Sequence, residues 1–199
     1  MSAIRLIAGL GNPGPQYEST RHNAGAWYLQ ELADHYRVPL SRDSKFHGWL
    51  GKGRIADQDV WLLRPDDFMN LNGKAIGALA GFYKIEPEEI LIAYDELDLP
   101  PGVVRLKQGG SSGHNGIRDT VAKLGNNRDF MRLRIGIGHP GDKSLVTPYV
   151  LGKPPAREKD AILTAIDEAI RETGRIVTGE RDKVMQTLHS LPSPLQDRN

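Results

Sequence analysis

Residues Gly9 to Gly25 read GLGNPGPQYESTRHNAG. The apolar run Ile4 to Ala8 before them predicts a strand, and the residues after them predict a helix opening near Asn23. Open α/β sheets bind ligands beyond the carboxyl ends of their strands, which is where this loop falls. Pro13 and Pro15 fix their own φ, and the glycines adopt conformations closed to other residues, so the loop is stiffened. A reactive side chain carried here is held still.

Gly9, Gly11 and Gly14 spell G-x-G-x-x-G, the dinucleotide fingerprint. In that fingerprint the helix starts among the glycines, so that its first N–H groups meet the pyrophosphate. Pro13 and Pro15 stand in the way, Tyr17 to Arg21 shows no apolar periodicity, and the acidic position about twenty residues on is Asp34, inside a helical pattern. A nicotinamide site is therefore disfavoured.

With 199 residues, 39% of them apolar and 26% charged, the chain is long enough to bury a sizeable core, and residues 1–190 are expected to form a single catalytic domain. A polar tail with two prolines, residues 191–199, is expected to fray. No apolar run approaches the ~20 residues of a membrane span. Met1 to Leu6 lacks a signal-peptide core, and without cysteine there is neither disulfide nor thiolate chemistry, so a cytoplasmic protein is the default. The net charge of +1 hides an asymmetry. Glu86 to Asp98 holds six acidic residues and no basic one, whereas Arg105 to Arg157 holds ten Lys/Arg against Asp119, Asp129 and Asp142. Scattered solvated charges would look the same, but a basic face for a polyanion beside an acidic patch is one reading.

Helical spacing runs from Ala24 to Tyr36, and two strands, Gly48 to Ile55 and Asp59 to Arg64, are joined by a turn at Asp57-Gln58. Asn72 is placed to cap a helix whose inner face is Ile76, Leu79, Ala80 and Tyr83. Ile90 to Tyr94 reads as a buried strand that delivers Asp95, and Val103 to Lys107 as another. Gly109 to Gly113 reads as a flexible loop before a helix through Ile117, Val121 and Leu124. Phe130 to Ile137 alternates apolar residues with Arg132 and Arg134, a half-buried strand with a basic face. A long helix from Ala156 to about Thr178 and a shorter one from Glu180 to His189 follow. Strands alternating with helices, plus the early hairpin, predict a single three-layer α/β domain with a twisted mixed sheet flanked by helices.

GGSSG at Gly109 to Gly113 fits G-x-S-x-G with Ser111 as nucleophile, and Asp142 and His189 follow in the right order. A nucleophile elbow needs a strand running straight into a tight turn and a helix, and three glycines around two serines do not supply it. His22 offers different chemistry. A histidine at a loop-to-helix junction often serves only as a cap or surface residue. With Asp95 at another strand end on the same edge, a carboxylate accepting its Nδ1–H would leave Nε2 free to take a proton from water. No H-x-x-x-H or similar spacing calls for a metal or any other cofactor. Asn12, Asn70 and Asn115 each stand at a loop beside an element, as turn or cap residues do. Uncharged amides there can also donate to a developing oxyanion without disturbing a neutral histidine.

GLGNPGPQY, TRHNAG, FMNLNG, DELDLPPG, GHNG and RLRIGIGHPGD, in this order and with VLGKPP after them, closely resemble the bacterial-type peptidyl-tRNA hydrolase family from about Ile4 to Pro155. The resemblance implies a peptidyl-tRNA hydrolase-like fold and hydrolysis of the ester joining a peptide to the 3′ ribose of tRNA. It implies His22 as catalytic base, Asp95 as its orienting partner, and Asn12 and Asn70 as groups that place substrate and water or stabilise the oxyanion. Asn115 would bind near the 3′ end, His114 would touch substrate, and Arg105, Lys107 and Arg134 would meet tRNA phosphates. Tyr17, Phe68 and Asn72 stand in the same motifs and are grouped with the substrate and tRNA contacts. The partner implied is peptidyl-tRNA, bound by a monomer without metal or cofactor and away from membranes. Two departures stand out: QGGSSGHNG is one residue shorter than the usual glycine-rich loop, and Arg105 replaces a frequent lysine. Both bear on nucleic-acid affinity more than on the base.

Overall fold

The computed structural model describes residues 2–192 and 195. The chain begins with strand β1 (Leu6–Gly9), crosses the proline loop to a single 3-10 turn at Arg21–Asn23, and enters helix α1 (Ala24–His35). A three-residue edge strand β2 (Ser41–Asp43) precedes the hairpin β3 (Gly48–Ile55) and β4 (Gln58–Pro65). Helix α2 (Gly73–Tyr83), strands β5 (Ile90–Glu96) and β6 (Val104–Gln108), helix α3 (Asn115–Lys123) and strand β7 (Met131–Gly136) follow. The one-turn-and-a-half α4 (Val146–Val150), the long α5 (Ala156–Val177) and α6 (Arg181–Ser190) complete the described chain. Most of the tail expected to fray lies outside the described residues. Among those residues no helix is long and apolar enough to cross a membrane.

All seven strands form one mixed sheet in the order β2-β3-β4-β1-β5-β7-β6. β4, β1, β5 and β7 are parallel neighbours, so the loops after all four leave from the same edge. β6 runs antiparallel to β7, with Gln108 opposite Met131, so the loop after β6 starts from the far end and has to return. Alternation in the central strands splits the core: Ile7, Leu91 and Ala93 face α1, α5 and α6, while Leu6, Ala8, Ile90 and Ile92 face α2 and α3. Ile162, Ile166 and Ile170 of α5 all lie in the first layer, each worth roughly 1.5–3 kcal/mol of buried apolar surface. This is the expected three-layer arrangement.

Four local readings are corrected. The hairpin turns at Ala56-Asp57, with φ of 51° and 61°, and Gln58 already pairs with Ile55; two left-handed residues match the twist of the flanking strands. β2 has no apolar alternation to betray it. Arg132 does not sit on a solvated face: it is buried, its guanidinium 4.5 Å above the Phe130 ring and donating to the Arg128 carbonyl. The side chain of Asn72 does not cap α2.

The glycines of the opening loop serve packing. A Cβ on Gly9 would sit 2.2 Å from the Gly25 carbonyl oxygen, and one on Gly25 would sit 2.2 Å from that of Ala93. Only with hydrogen at both positions can α1 lie directly on β1 and β5 and bring the turn before it to the end of β5.

Candidate active site

His22 comes from the turn before α1 and Asp95 from the carboxyl end of β5, and they meet. His22 Nδ1–H donates to Asp95 Oδ2 at 2.7 Å, with both side chains largely buried. The other carboxylate oxygen, Oδ1, accepts from His114 Nε2–H at 2.8 Å. The tautomers follow from the remaining partners. His114 caps α3 by accepting the Gly116 and Ile117 N–H groups on Nδ1, so its proton is on Nε2. Asp95 needs a donor from His22 as well, which fixes the proton of neutral His22 on Nδ1 and leaves Nε2 unprotonated on the cleft side.

Electrostatics agree with that assignment. Burial pulls the His22 pKa down, but the charge of Asp95 and its hydrogen bond outweigh it and raise the pKa above 6.5. Burial pushes Asp95 up, and the two imidazoles more than reverse this, holding its carboxyl well below the usual range. Tyr94, edge-on to His114 at 5.0 Å between ring centroids, is pushed up to about 12 by burial and the charge of Glu96 and stays neutral.

His22, Asp95 and His114 also offer metal-ligand atoms within 4.8 Å of one another, a group that sequence spacing missed because the three are far apart in the chain. Separations of 2.7 and 2.8 Å are those of charge-assisted hydrogen bonds. Two ligands on one tetrahedral ion with bonds of about 2.0–2.2 Å stand roughly 3.4 Å apart. The residues present fit a proton network better than an ion.

The asparagines sort into two kinds. Asn12 Oδ1 accepts the Met69 N–H at 2.7 Å, which leaves its Nδ2 to donate into the cleft. Asn70 and Asn115 are exposed on the cleft wall. Asn72 is fully buried, accepts from Gly11 N–H at 3.0 Å and donates to the Asp67 and Phe68 carbonyls. It clasps the proline loop to the loop after β4 and has no group left for a substrate. Asn23, which sequence reading passed over as a helix opening, exchanges two hydrogen bonds with the Asn12 backbone and holds that residue in place. Both ring nitrogens of His114 are engaged, Nε2 on Asp95 and Nδ1 on the first N–H groups of α3.

The cleft around these groups encloses about 860 Å³. Phe68, 55% exposed, stands on its rim with Tyr17 packed edge-on behind it at 6.3 Å. Lys107, Arg132 and Arg134 line one side, Arg134 bonded to Glu96 at 2.8 Å, and the basic and acidic segments thus share one cavity. Val146, Val150, Leu151 and Leu97 make an apolar wall, with His139 and Lys143 beside it. Arg105 is not among the lining residues; its guanidinium donates to the Leu188 carbonyl at the end of α6. Ser111 lines the cleft, but Asp142 is spent on Ser144 and His189 on the Leu106 N–H, so no serine triad forms.

Comparison with known proteins gives one answer. The family model described as Peptidyl-tRNA hydrolase matches residues 6–196, reaching well beyond the Pro155 limit of the motif resemblance. A peptidyl-tRNA hydrolase of Alteromonas mediterranea is 58% identical over 190 residues, covering 96% of this chain and 98% of that relative. One from Yersinia enterocolitica is 57% identical over 197 residues, covering 98% and 100%. The crystal structure of peptidyl-tRNA hydrolase from Acinetobacter baumannii superposes with a TM-score of 0.94 at 48% identity, covering 97% of this chain and 98% of that one.

Proposed function

This chain belongs to the peptidyl-tRNA hydrolase family and is a hydrolase of that class, and from that premise we propose a mechanism in which His22 is the base, without a metal. Nε2 of His22 takes a proton from a water molecule as that water attacks the ester carbonyl carbon. The carbonyl oxygen becomes an oxyanion and receives N–H donors from the amides of Asn12 and Asn70. Collapse breaks the bond to the ribose 3′ oxygen, which takes the proton back from the imidazolium. The products are a peptide carboxylate and a tRNA with a free 3′ hydroxyl. Asp95 keeps the base in its productive tautomer and stabilises the imidazolium while it carries the proton.

The single observation that carries this reading is the 2.7 Å bond from His22 Nδ1 to a buried carboxylate, which turns Nε2 to a cleft edged by amides. General-base catalysis of this kind contributes roughly 10²- to 10⁴-fold, and preorganised amide donors on the order of 10²- to 10³-fold more. Lys107 and Arg134 would take tRNA phosphates, Asn115 the 3′ end, and Phe68 with Tyr17 a stacking contact with an unpaired base. The reading includes action as a monomer in the cytoplasm. Its test is incubation with N-acetylated aminoacyl-tRNA in the presence of a chelator. Release of free tRNA by the wild type and near-abolition of release in His22→Ala, with tRNA still bound, is the expected result. Turnover that disappears with the chelator overturns the metal-free step, and near-normal turnover in His22→Ala overturns the base.

A further inference from the structure

Arg21 precedes the base in the same turn and is tied through its main-chain N–H, its Nη1 and the face of its guanidinium to the segment 143–152 that carries the apolar wall of the cleft. Its main-chain N–H donates to the Gly152 carbonyl at 3.0 Å, and Nη1 donates to the Tyr149 carbonyl at 2.9 Å. The guanidinium carbon lies 3.9 Å above the Tyr149 ring centroid, and Nη2 is 3.7 Å from Glu158 Oε2. The Tyr149 hydroxyl in turn donates to the Ile137 carbonyl at 2.6 Å, anchoring the segment to the end of β7. The neighbouring residues Val146, Thr147, Val150 and Leu151 line the cleft.

A buried guanidinium in this place is costly. It is about nine-tenths buried, its one carboxylate partner is distant, and its Nε is buried with no hydrogen-bond partner among the described residues. An unbranched apolar side chain would pack there with less desolvation. What only arginine supplies is a planar fork that grips a carbonyl and stacks on a ring at the same time. α4, at five residues, is too short to hold itself together. We propose that Arg21 is a positioning residue that sets the distance between His22 and the apolar wall, and so determines which acyl groups the cleft accepts. The proposal rests on the reading of His22 as base; a wild-type enzyme that cleaves no ester would sink that reading, whereas the comparison below concerns Arg21 alone.

The test is steady-state hydrolysis of two N-acetylated aminoacyl-tRNAs, one with a glycyl and one with a leucyl group, by full-length wild type, Arg21→Met and Tyr149→Leu. Arg21→Met is expected to lose about tenfold in kcat/KM on the leucyl substrate, mostly through KM, and much less on the glycyl one. The pH at which the rate is half-maximal stays where it was, because the His22–Asp95 pair is untouched. Tyr149→Leu reproduces the loss, and the double variant adds little to either, as two ends of one contact require. Tyr149→Leu by itself carries the comparison should Arg21→Met melt below assay temperature. Equal losses on both substrates, a displaced pH profile, or additive losses in the double variant each overturn the proposal.

Discussion

His114 Nε2 lies 2.8 Å from Asp95 Oδ1, the carboxylate oxygen that His22 leaves free. The same ring caps α3 through Nδ1, so a helix N-terminus fixes the tautomer of an imidazole whose other nitrogen neutralises part of the charge facing the base. Removing that donor concentrates negative charge on His22. His114→Ala is therefore expected to raise the pKa of His22 further, to move the acid limb of the pH–rate profile upward, and to lower kcat with little change in KM. Loss of the cap also costs about 1 kcal/mol of stability. A KM that rises while the pH profile stays fixed would mean that His114 touches substrate after all.

Asp95 makes the opposite prediction. The base works unprotonated, and the folded-state pKa of His22 is raised, so kcat/KM should climb with pH through a midpoint above 6.5. In Asp95→Asn the carboxylate charge is gone and a neutral amide is left to set against burial, which lowers the pKa. The midpoint should then fall below 6.5 while the plateau drops on the order of 10²- to 10⁴-fold. Profiles of kcat/KM from pH 5 to 9 check both the direction and the depth; an unmoved midpoint in Asp95→Asn removes the carboxylate from the account.

His22 and Asp95 were legible in the amino-acid sequence because each lies close to the carboxyl end of a strand, and β1 and β5 are parallel neighbours. Motif order supplied the family. The contact of His114 with Asp95 was not legible, because β6 runs antiparallel and its loop brings the ring back to Asp95 by a path that no periodicity encodes. The positive φ of Gly109 and Gly110 is the part of that path that favours glycine. Arg132 shows the same limit on a smaller scale: alternation tells which face a side chain takes and not whether a ring and a carbonyl wait there to bury it. Asn12 and Asn72 look alike in sequence, and only the location of their hydrogen bonds separates a cleft donor from a loop clasp.

That separation is testable. Asn12→Asp keeps the oxygen that accepts from Met69 N–H and replaces the cleft-facing donor by a negative oxygen. Turnover should fall roughly 10²- to 10³-fold with the melting temperature nearly unchanged. Asn72→Ala instead leaves the buried Gly11 N–H without its acceptor and takes a donor from the Asp67 and Phe68 carbonyls, costing about 1–3 kcal/mol. It should lower the melting temperature, with the activity of the still-folded fraction reduced far less than in Asn12→Asp. Equal thermal losses in the two variants would contradict the division.

The cations divide in the same manner. Lys107 and Arg134 line the cleft beside the proposed path of the 3′ end, whereas the guanidinium of Arg105 is held on the Leu188 carbonyl, next to a His189 ring that accepts the Leu106 N–H. A phosphate contact releases counterions, so binding falls with salt by a slope of about −0.7 to −0.9 per contact. Lys107→Ala and Arg134→Ala are each expected to weaken tRNA affinity and flatten that slope by roughly one contact. Arg105→Ala should leave the slope alone and loosen α6, read as faster amide exchange in Arg181–Ser190. Affinity measured from 50 to 200 mM salt decides between them: a slope flattened by Arg105→Ala as much as by Lys107→Ala would return Arg105 to the phosphate contacts, since its guanidinium keeps its charge while it donates to a backbone carbonyl.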